Sequence, residues 1–193
     1  MRTNDVIELL PAHQKEVVRD HQASLRLKIG PLLRDLGVKG ELRDLQDGHA
    51  GFAFYAPGYS STGFVVRINR KQSLERQRFT AGHEIGHCLL HPKSVINRSE
   101  AKEWWEHETN RAVTFDAREK FSEFQADPFE AIYSTDQTKL EREADRFAAH
   151  LLMPARMINK LWRAGYRSEE EMADVLGVST SAMRFRLKEL QRY

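Results

Sequence analysis

His83-Glu84-Ile85-Gly86-His87 sets two imidazoles four residues apart, with a carboxylate beside the first. On a helix, residues at that spacing share a face, so both rings can converge on one point. Two neutral imidazoles with an open side suit a catalytic zinc ion when a third protein ligand arrives from elsewhere. Glu84, next to the first histidine, is placed to take a proton from water as general base. A pattern of three fixed positions recurs by chance, and an exposed polar helix face or a decayed site would carry the same letters. The rest of the chain has to supply the third ligand and the frame.

That ligand is sought on a second helix, and the stretch 140–152 has the required pattern. Glu141 and Asp145 are four apart and share a face. One can bind the ion while the other hydrogen-bonds a ligand imidazole. Glu143 lies on a different face and Asp145 has the shorter arm, which makes Glu141 the ligand and Asp145 the group that orients a histidine, His83. The plainer alternatives are a surface carboxylate pairing Arg142 or Arg146, and an ordinary helix charge. His91, four residues past His87, could extend the histidine face, but it reads more readily as a cap at the helix C-terminus, where a cation is favoured. It is left out of the ligand set. Cys88 reads as a core thiol. Tyr55, Tyr59 and Tyr133 are candidates for polarising a scissile carbonyl, but packing is the better account of each.

The elements that must hold these groups follow from periodicity. A helix is expected over 23–36, broken near Gly30-Pro31 and stopped by Gly37. Strands are expected over 38–45, 51–55 and 64–68, the last a β-branched apolar run. A helix over 73–90 carries the histidines, and Pro92 closes it. Residues 93–138 hold Trp104, Trp105, Phe115, Phe121, Phe124, Phe129 and Tyr133 among acid-leaning charges, and read as one or two short helices joined by irregular chain. They are read either as a lid over the cleft or as a decoration packed on the core. The Glu141 helix ends at Met153-Pro154. Three short helices follow, over 156–163, 168–176 and 179–192, with Ser168 and Glu171 spaced as a capping box.

Composition sets the outer limits. A chain of 193 residues with 40% hydrophobic and 30% charged content fits one domain or one with a small appendage. A net charge of +2 implies no general attraction to polyanions. Residues 1–22 are polar, a loose helix at most, and lack the apolar core of a signal peptide. No window approaches the ~18 apolar residues of a membrane span. A single cysteine excludes an internal disulfide and agrees with a reducing compartment. The expected location is cytoplasmic, away from membranes.

Arg78-Phe79-Thr80-Ala81-Gly82-His83-Glu84-Ile85-Gly86-His87, followed by Glu141-x-x-x-Asp145-x-Phe147-Ala148-Ala149-x-Leu151-Leu152-Met153-Pro154, resembles the ImmA/IrrE family of metallo-endopeptidases. The similarity takes in roughly residues 25–95 and 137–190, including Leu176-Gly177-Val178-Ser179 and the helix-turn-helix-like end. The resemblance implies an α+β fold with a mainly helical, gluzincin-like zincin core, a small N-terminal β-sheet and that helical end. It implies one zinc ion per chain held by His83, His87 and Glu141, with Glu84 activating water. Manganese or another divalent ion suits the same donor set. The domain plan expected is a peptidase domain over 1–154, with an insertion at about 93–138, and a helix-turn-helix-like segment over 155–193 packed on it. The implied function is zinc-dependent endoproteolysis of a helix-turn-helix (XRE-type) transcriptional repressor, the expected partner, in a stress or mobile-element response. Two features depart from the family pattern: the long stretch between His87 and Glu141, and His150, where another polar residue is commoner.

A second reading comes from another class. The chain would be a non-catalytic regulatory binding protein, a toxin–antitoxin-like partner or DNA-binding module, that sequesters a repressor without cutting it. An intact Glu84 argues against it, since a decayed site has no need of a general base. For DNA, Arg184, Arg186 and Lys188 crowd the last helix and are the candidate nucleic-acid contacts. Met183, Leu187 and Leu190 form a buried stripe there, and charges opposite such a stripe are usually solvated. Protein docking or core support therefore ranks above direct DNA binding.

Overall fold

The computed structural model describes residues 5–45, 48–100 and 136–191. The polar N-terminal stretch folds as a short 3-10 helix, Val6–Leu9, and α1, Ala12–His21. Val6, Ile7, Leu10 and Val18 are buried while Leu9 is exposed; the buried set is too sparse for a visible periodicity yet sufficient to pin the segment. α2, Ile29–Asp35, is shorter than the helix expected over 23–36. Pro31 lies in its first turn, where a missing N–H leaves no intrahelical bond unmade. Gly30-Pro31 therefore begins the helix instead of breaking it.

Three strands, β1 (Lys39–Arg43), β2 (Gly51–Tyr55) and β3 (Phe64–Asn69), form one sheet in the order β1-β3-β2. β1 runs parallel to β3 and pairs Lys39 with Val65; β2 runs antiparallel and pairs Gly51 with Ile68. β3 is central and covered on both faces. Val66 and Ile68 join the main core with Ala53, while Val65 sits with Phe54 and Ala56 in a smaller cluster. Burial on both sides explains why this strand is mostly apolar, with Phe64, Val65, Val66 and Ile68 around one half-buried Arg67, and not an alternating one.

α3, Leu74–Leu90, starts at Ser73, whose hydroxyl accepts the Arg76 N–H. Pro92 does stop α3, but it also opens α4, Pro92–Glu100, as proline can at a first helical position. The expected aromatic segment with Trp104, Trp105, Phe115, Phe121, Phe124, Phe129 and Tyr133 lies outside the described residues. The chain continues as α5, Asp136–Leu152, then α6, Ala155–Arg163, α7, Glu169–Leu176, and α8, Thr180–Glu189. Ser168 and Glu171 form the capping box of α7, and Gly177, with φ 67°, ends it in the left-handed conformation. The architecture is α+β: helices packed around one small sheet. No helix among the described residues is long and apolar enough to cross a membrane.

α3 packs on β2, β3 and above all α5. The α3–α5 crossing is close because two glycines face it. A Cβ at Gly82 would stand 3.2 Å from both Cα and Cβ of Ala148, and one at Gly86 would stand 3.2 Å from Ala144 Cα and 3.1 Å from Phe147 Cβ. The pairing of Gly82 with Ala148 and Gly86 with Ala144 makes the helices antiparallel.

Two polar clamps tie the ends of the chain to this pair. Arg78, one turn before the histidines on α3, donates to the carbonyls of Leu27, Leu176 and Gly177. His150 on α5 is 3% exposed. Its Nδ1 lies 3.0 Å from Asp5 Oδ1 and its Nε2 lies 3.1 Å from Glu189 Oε1. Gln22 donates to the carbonyls of His150 and Leu151. One buried apolar cluster accordingly extends from Val6 to Leu187.

Two predictions follow from this packing. Gly86→Val should destabilise the protein by about 1–3 kcal/mol, the usual cost of overpacking, whereas Gly30→Ala, where an added Cβ meets open space, should be neutral or stabilising. Thermal melts of both variants check this; equal melting temperatures would refute a steric limit at the crossing. The second concerns acid. Burial alone would raise the Glu189 pKa, but the His150 hydrogen bond and the Arg186 guanidinium outweigh it and hold the carboxyl at about 2, against an ordinary 4.5. For Asp5 too, burial is outweighed by His150 and Arg19, and its carboxyl sits well below the usual range. A carboxylate depressed in the folded state stabilises above its ordinary pKa and loses that contribution as pH falls toward the folded value. Melting temperature should therefore drop as pH falls from about 4.5 toward 2. His150→Ala should cost about 2 kcal/mol at neutral pH and flatten that drop; an unaltered acid profile would count against the clamp.

Candidate metal centre

α3 places His83 and His87 toward the crossing, and α5 brings Glu141 and Asp145 to meet them. The Nε2 atoms of His83 and His87 are 3.0 Å apart. Glu141 Oε2 is 3.2 Å from His83 Nε2, and Glu141 Oε1 is 3.4 Å from His87 Nε2. Two imidazole nitrogens and a carboxylate thus converge, and these three residues are the group that could hold a metal ion among the described residues. Ligand atoms held ~2.0–2.1 Å from a tetrahedral ion lie about 3.3 Å from one another. The observed separations bracket that value, so the residues fit the ion their chemistry implies. His83 keeps 17% of its side chain exposed, against 4% for His87 and 7% for Glu141, which leaves the site accessible from the His83 side. Glu84 is also buried.

Electrostatics favour a cation here. Burial would lower the His83 pKa, but the charge and hydrogen bond of Asp145, with Glu141 and Glu84 adding to them, raise it well above the ordinary value. Burial would raise Glu141, yet hydrogen bonds from His83 and His87 hold its carboxyl far below the usual carboxylate range. Both shifts express one field, in which positive charge at the point of convergence is stabilised.

Each histidine is held from behind. Asp145 Oδ1 lies 2.7 Å from His83 Nδ1, the contact expected from the spacing on α5. His87 Nδ1 lies 3.2 Å from His91 Nδ1, and His91 Nε2 lies 2.9 Å from Glu143 Oε2. His91 does cap α3, through its backbone N–H to the His87 carbonyl, but its side chain turns inward. Burial holds its imidazole toward the neutral form, with Glu143 countering only in part. Sequence reasoning passed over His91 and Glu143 as members of the site. The available signal was the four-residue step from His87 to His91, which extends the histidine face by one turn.

The remaining candidates lie elsewhere. Arg184 is exposed and pairs with Glu169 at 2.7 Å. Arg186 is 4% exposed, donates from Nε to the Met153 carbonyl at 3.0 Å and is ion-paired with Glu189. Lys188 is exposed. The three therefore do not share an open face, because Arg186 is committed to the junction of α5 and α8. Tyr55 packs edge-on against Phe64, and the ring of Tyr59 carries the Lys39 ammonium. Cys88 is buried, and Tyr133 lies outside the described residues.

Two histidines four apart on one helix, an adjacent glutamate and a distal glutamate from a packed helix define a zincin-like metallopeptidase site. The family model of the IrrE N-terminal-like domain, a peptidase family, matches residues 35–188, and the chain belongs to that family. That range includes both ligand helices and runs on through most of α8. No curated protein matches the chain at a significant level.

Removing one ligand should show whether the three act together. The purified wild-type protein should carry about one equivalent of zinc, and Glu141→Ala much less, by metal analysis. Equal metal content in both would remove Glu141 from the ligand set.

Proposed function

We propose that the protein is a zinc-dependent endopeptidase and that its substrate is a helix-turn-helix repressor of the XRE type, cleaved to relieve repression in a stress or mobile-element response. The observation that carries the catalytic part is the convergence of His83, His87 and Glu141, with Glu84 buried next to His83 on the same helix. The substrate rests on the likeness to the ImmA/IrrE family alone. A cytoplasmic location accords with such a substrate.

His83 Nε2, His87 Nε2 and one Glu141 oxygen would hold the ion. Once bound there, zinc supplies Lewis acidity that brings the pKa of water toward ~7 and polarises a carbonyl. Glu84 accepts the proton that the attacking water gives up as its oxygen bonds to the scissile carbonyl carbon. It then hands that proton to the departing amine nitrogen as the C–N bond breaks, so protons balance and Glu84 is restored. Asp145 keeps the His83 ring turned so that Nε2 presents its lone pair.

Incubating an XRE-type helix-turn-helix repressor with the protein, and with Glu84→Gln in parallel, tests this reading. The wild type should cut the repressor, and Glu84→Gln should keep its metal while losing about 10²–10⁴-fold or more in rate. A repressor that stays intact but binds tightly to both forms would replace the peptidase by a sequestering protein.

A further inference from the structure

His91 is the histidine of this site that the reaction above does not use. It is buried, its ring centroid is 5.4 Å from that of His87, and it stands between His87 and Glu143. Because α3 and α5 are antiparallel, a residue one turn beyond His87 comes level with the first turns of α5, where Glu143 sits. Asp145, further along α5, is spent on His83.

The proton inventory of this row is specific. If His87 presents Nε2 to an ion, that nitrogen carries a lone pair and the ring proton is on Nδ1. A buried N–H needs an acceptor. His91 Nδ1, 3.2 Å away, can accept only if His91 carries its own proton on Nε2. There Glu143 Oε2, 2.9 Å away, receives it. Every hydrogen is then assigned once, from His87 to His91 to Glu143. The reverse assignment, with His91 donating through Nδ1, would push the His87 proton onto Nε2 and close that nitrogen to a metal.

We infer that His91 and Glu143 are positioning residues for His87, an imidazole–carboxylate relay that fixes its tautomer and ring orientation for metal binding. This rests on the metal-site reading and adds a second, indirect support beside the direct one from Asp145 to His83. The asymmetry has a geometric cause. The Nδ1 of His83 bonds a carboxylate on α5 directly, whereas the Nδ1 of the more buried His87 reaches one only through a second ring. Groups that hold a ligand histidine from behind typically contribute about 10–100-fold in metal affinity.

The test is zinc and cobalt(II) affinity by chelator competition, with the visible absorption of the cobalt form, for wild type, His91→Phe, His91→Gln and Glu143→Gln. His91→Phe should bind zinc about 10–100-fold more weakly and alter the cobalt spectrum. His91→Gln, whose amide oxygen can accept from His87 Nδ1, should recover much of that loss. Glu143→Gln should weaken binding by a smaller factor. A role in packing alone predicts the opposite order, with the apolar ring tolerated better than the amide. Wild-type affinity and spectrum in His91→Phe would overturn the relay. Should the His91 variants fail to fold, Glu143→Leu, which removes the acceptor at a partly exposed position, carries the test, and unchanged affinity there would overturn the relay equally. Failure of the wild type itself to take up zinc would overturn the metal site together with the relay, while uptake by the wild type with indifferent variants would remove the relay alone.

Discussion

The close approach of α3 and α5 is the constraint on which the site depends. Every residue assigned to the chemistry lies on one of these two helices, and none can act without the other helix. His83 and His87 gain a third ligand, and His83 gains an orienting carboxylate, only if the helix axes are near enough for a glutamate side chain to span the gap. Gly82 and Gly86 interleave with the histidines on α3, and Ala144 and Ala148 with the carboxylates on α5. Small residues at the contact let the backbones approach, and the longer side chains between them reach across. The spacing that puts histidines on one face therefore also puts glycines on the adjoining face, one helical step away.

The arrangement is costly without an ion. Two imidazole nitrogens and a carboxylate are turned toward one point in a largely buried setting, where unpaired polar groups are expensive. Among themselves they can share protons, as the raised His83 and depressed Glu141 titrations express. A divalent cation satisfies all three at once. The surrounding core supplies the rigidity that holds them in this geometry: α3 is backed by the sheet, and α5 buries Phe147, Leu151 and Leu152 completely or nearly so. Catalytic groups placed on packed helices keep their geometry better than groups on loops.

Much of this was legible in the sequence, for identifiable reasons. The 73–90 and 136–152 helices and the 51–55 and 64–68 strands announce themselves because each has either a strong apolar run or a clear stop residue. Glu141 and Asp145 could be picked out because four-residue spacing on a helix is informative without knowing the partner. What failed to show were contacts whose partner is distant in sequence. His91 looks like a cap because a cap is local, whereas its side-chain partner Glu143 arrives from α5 and sits on what reads as another face. Arg186 looks like a surface cation in a basic helix. Its commitment to the Met153 carbonyl and Glu189 follows from how α8 docks, which no local pattern encodes. The N-terminal segment was obscure for a similar reason. Val6, Ile7, Leu10 and Val18 have no periodicity of their own, and become core only once the segment docks, its 3-10 helix against α5.

The same docking bears on what the helical end of the chain is for. A free DNA-reading module needs an exposed recognition helix with its cations available. In α8 the buried stripe of Ala182, Met183 and Leu187 belongs to the same core as α5 and α6, and Arg186 is inside it. Arg78 on α3 meanwhile caps the last carbonyls of α7, and His150 on α5 reaches Glu189 of α8. Each ligand helix is thus held at a defined point by the C-terminal helices: α3 by α7 one turn before the histidines, and α5 by α8 near its end. Because a site split between two helices works only if its groups are held within about 0.5 Å of their productive geometry, bracing α3 and α5 by α7 and α8 accounts for the segment physically, with no requirement that it bind anything else.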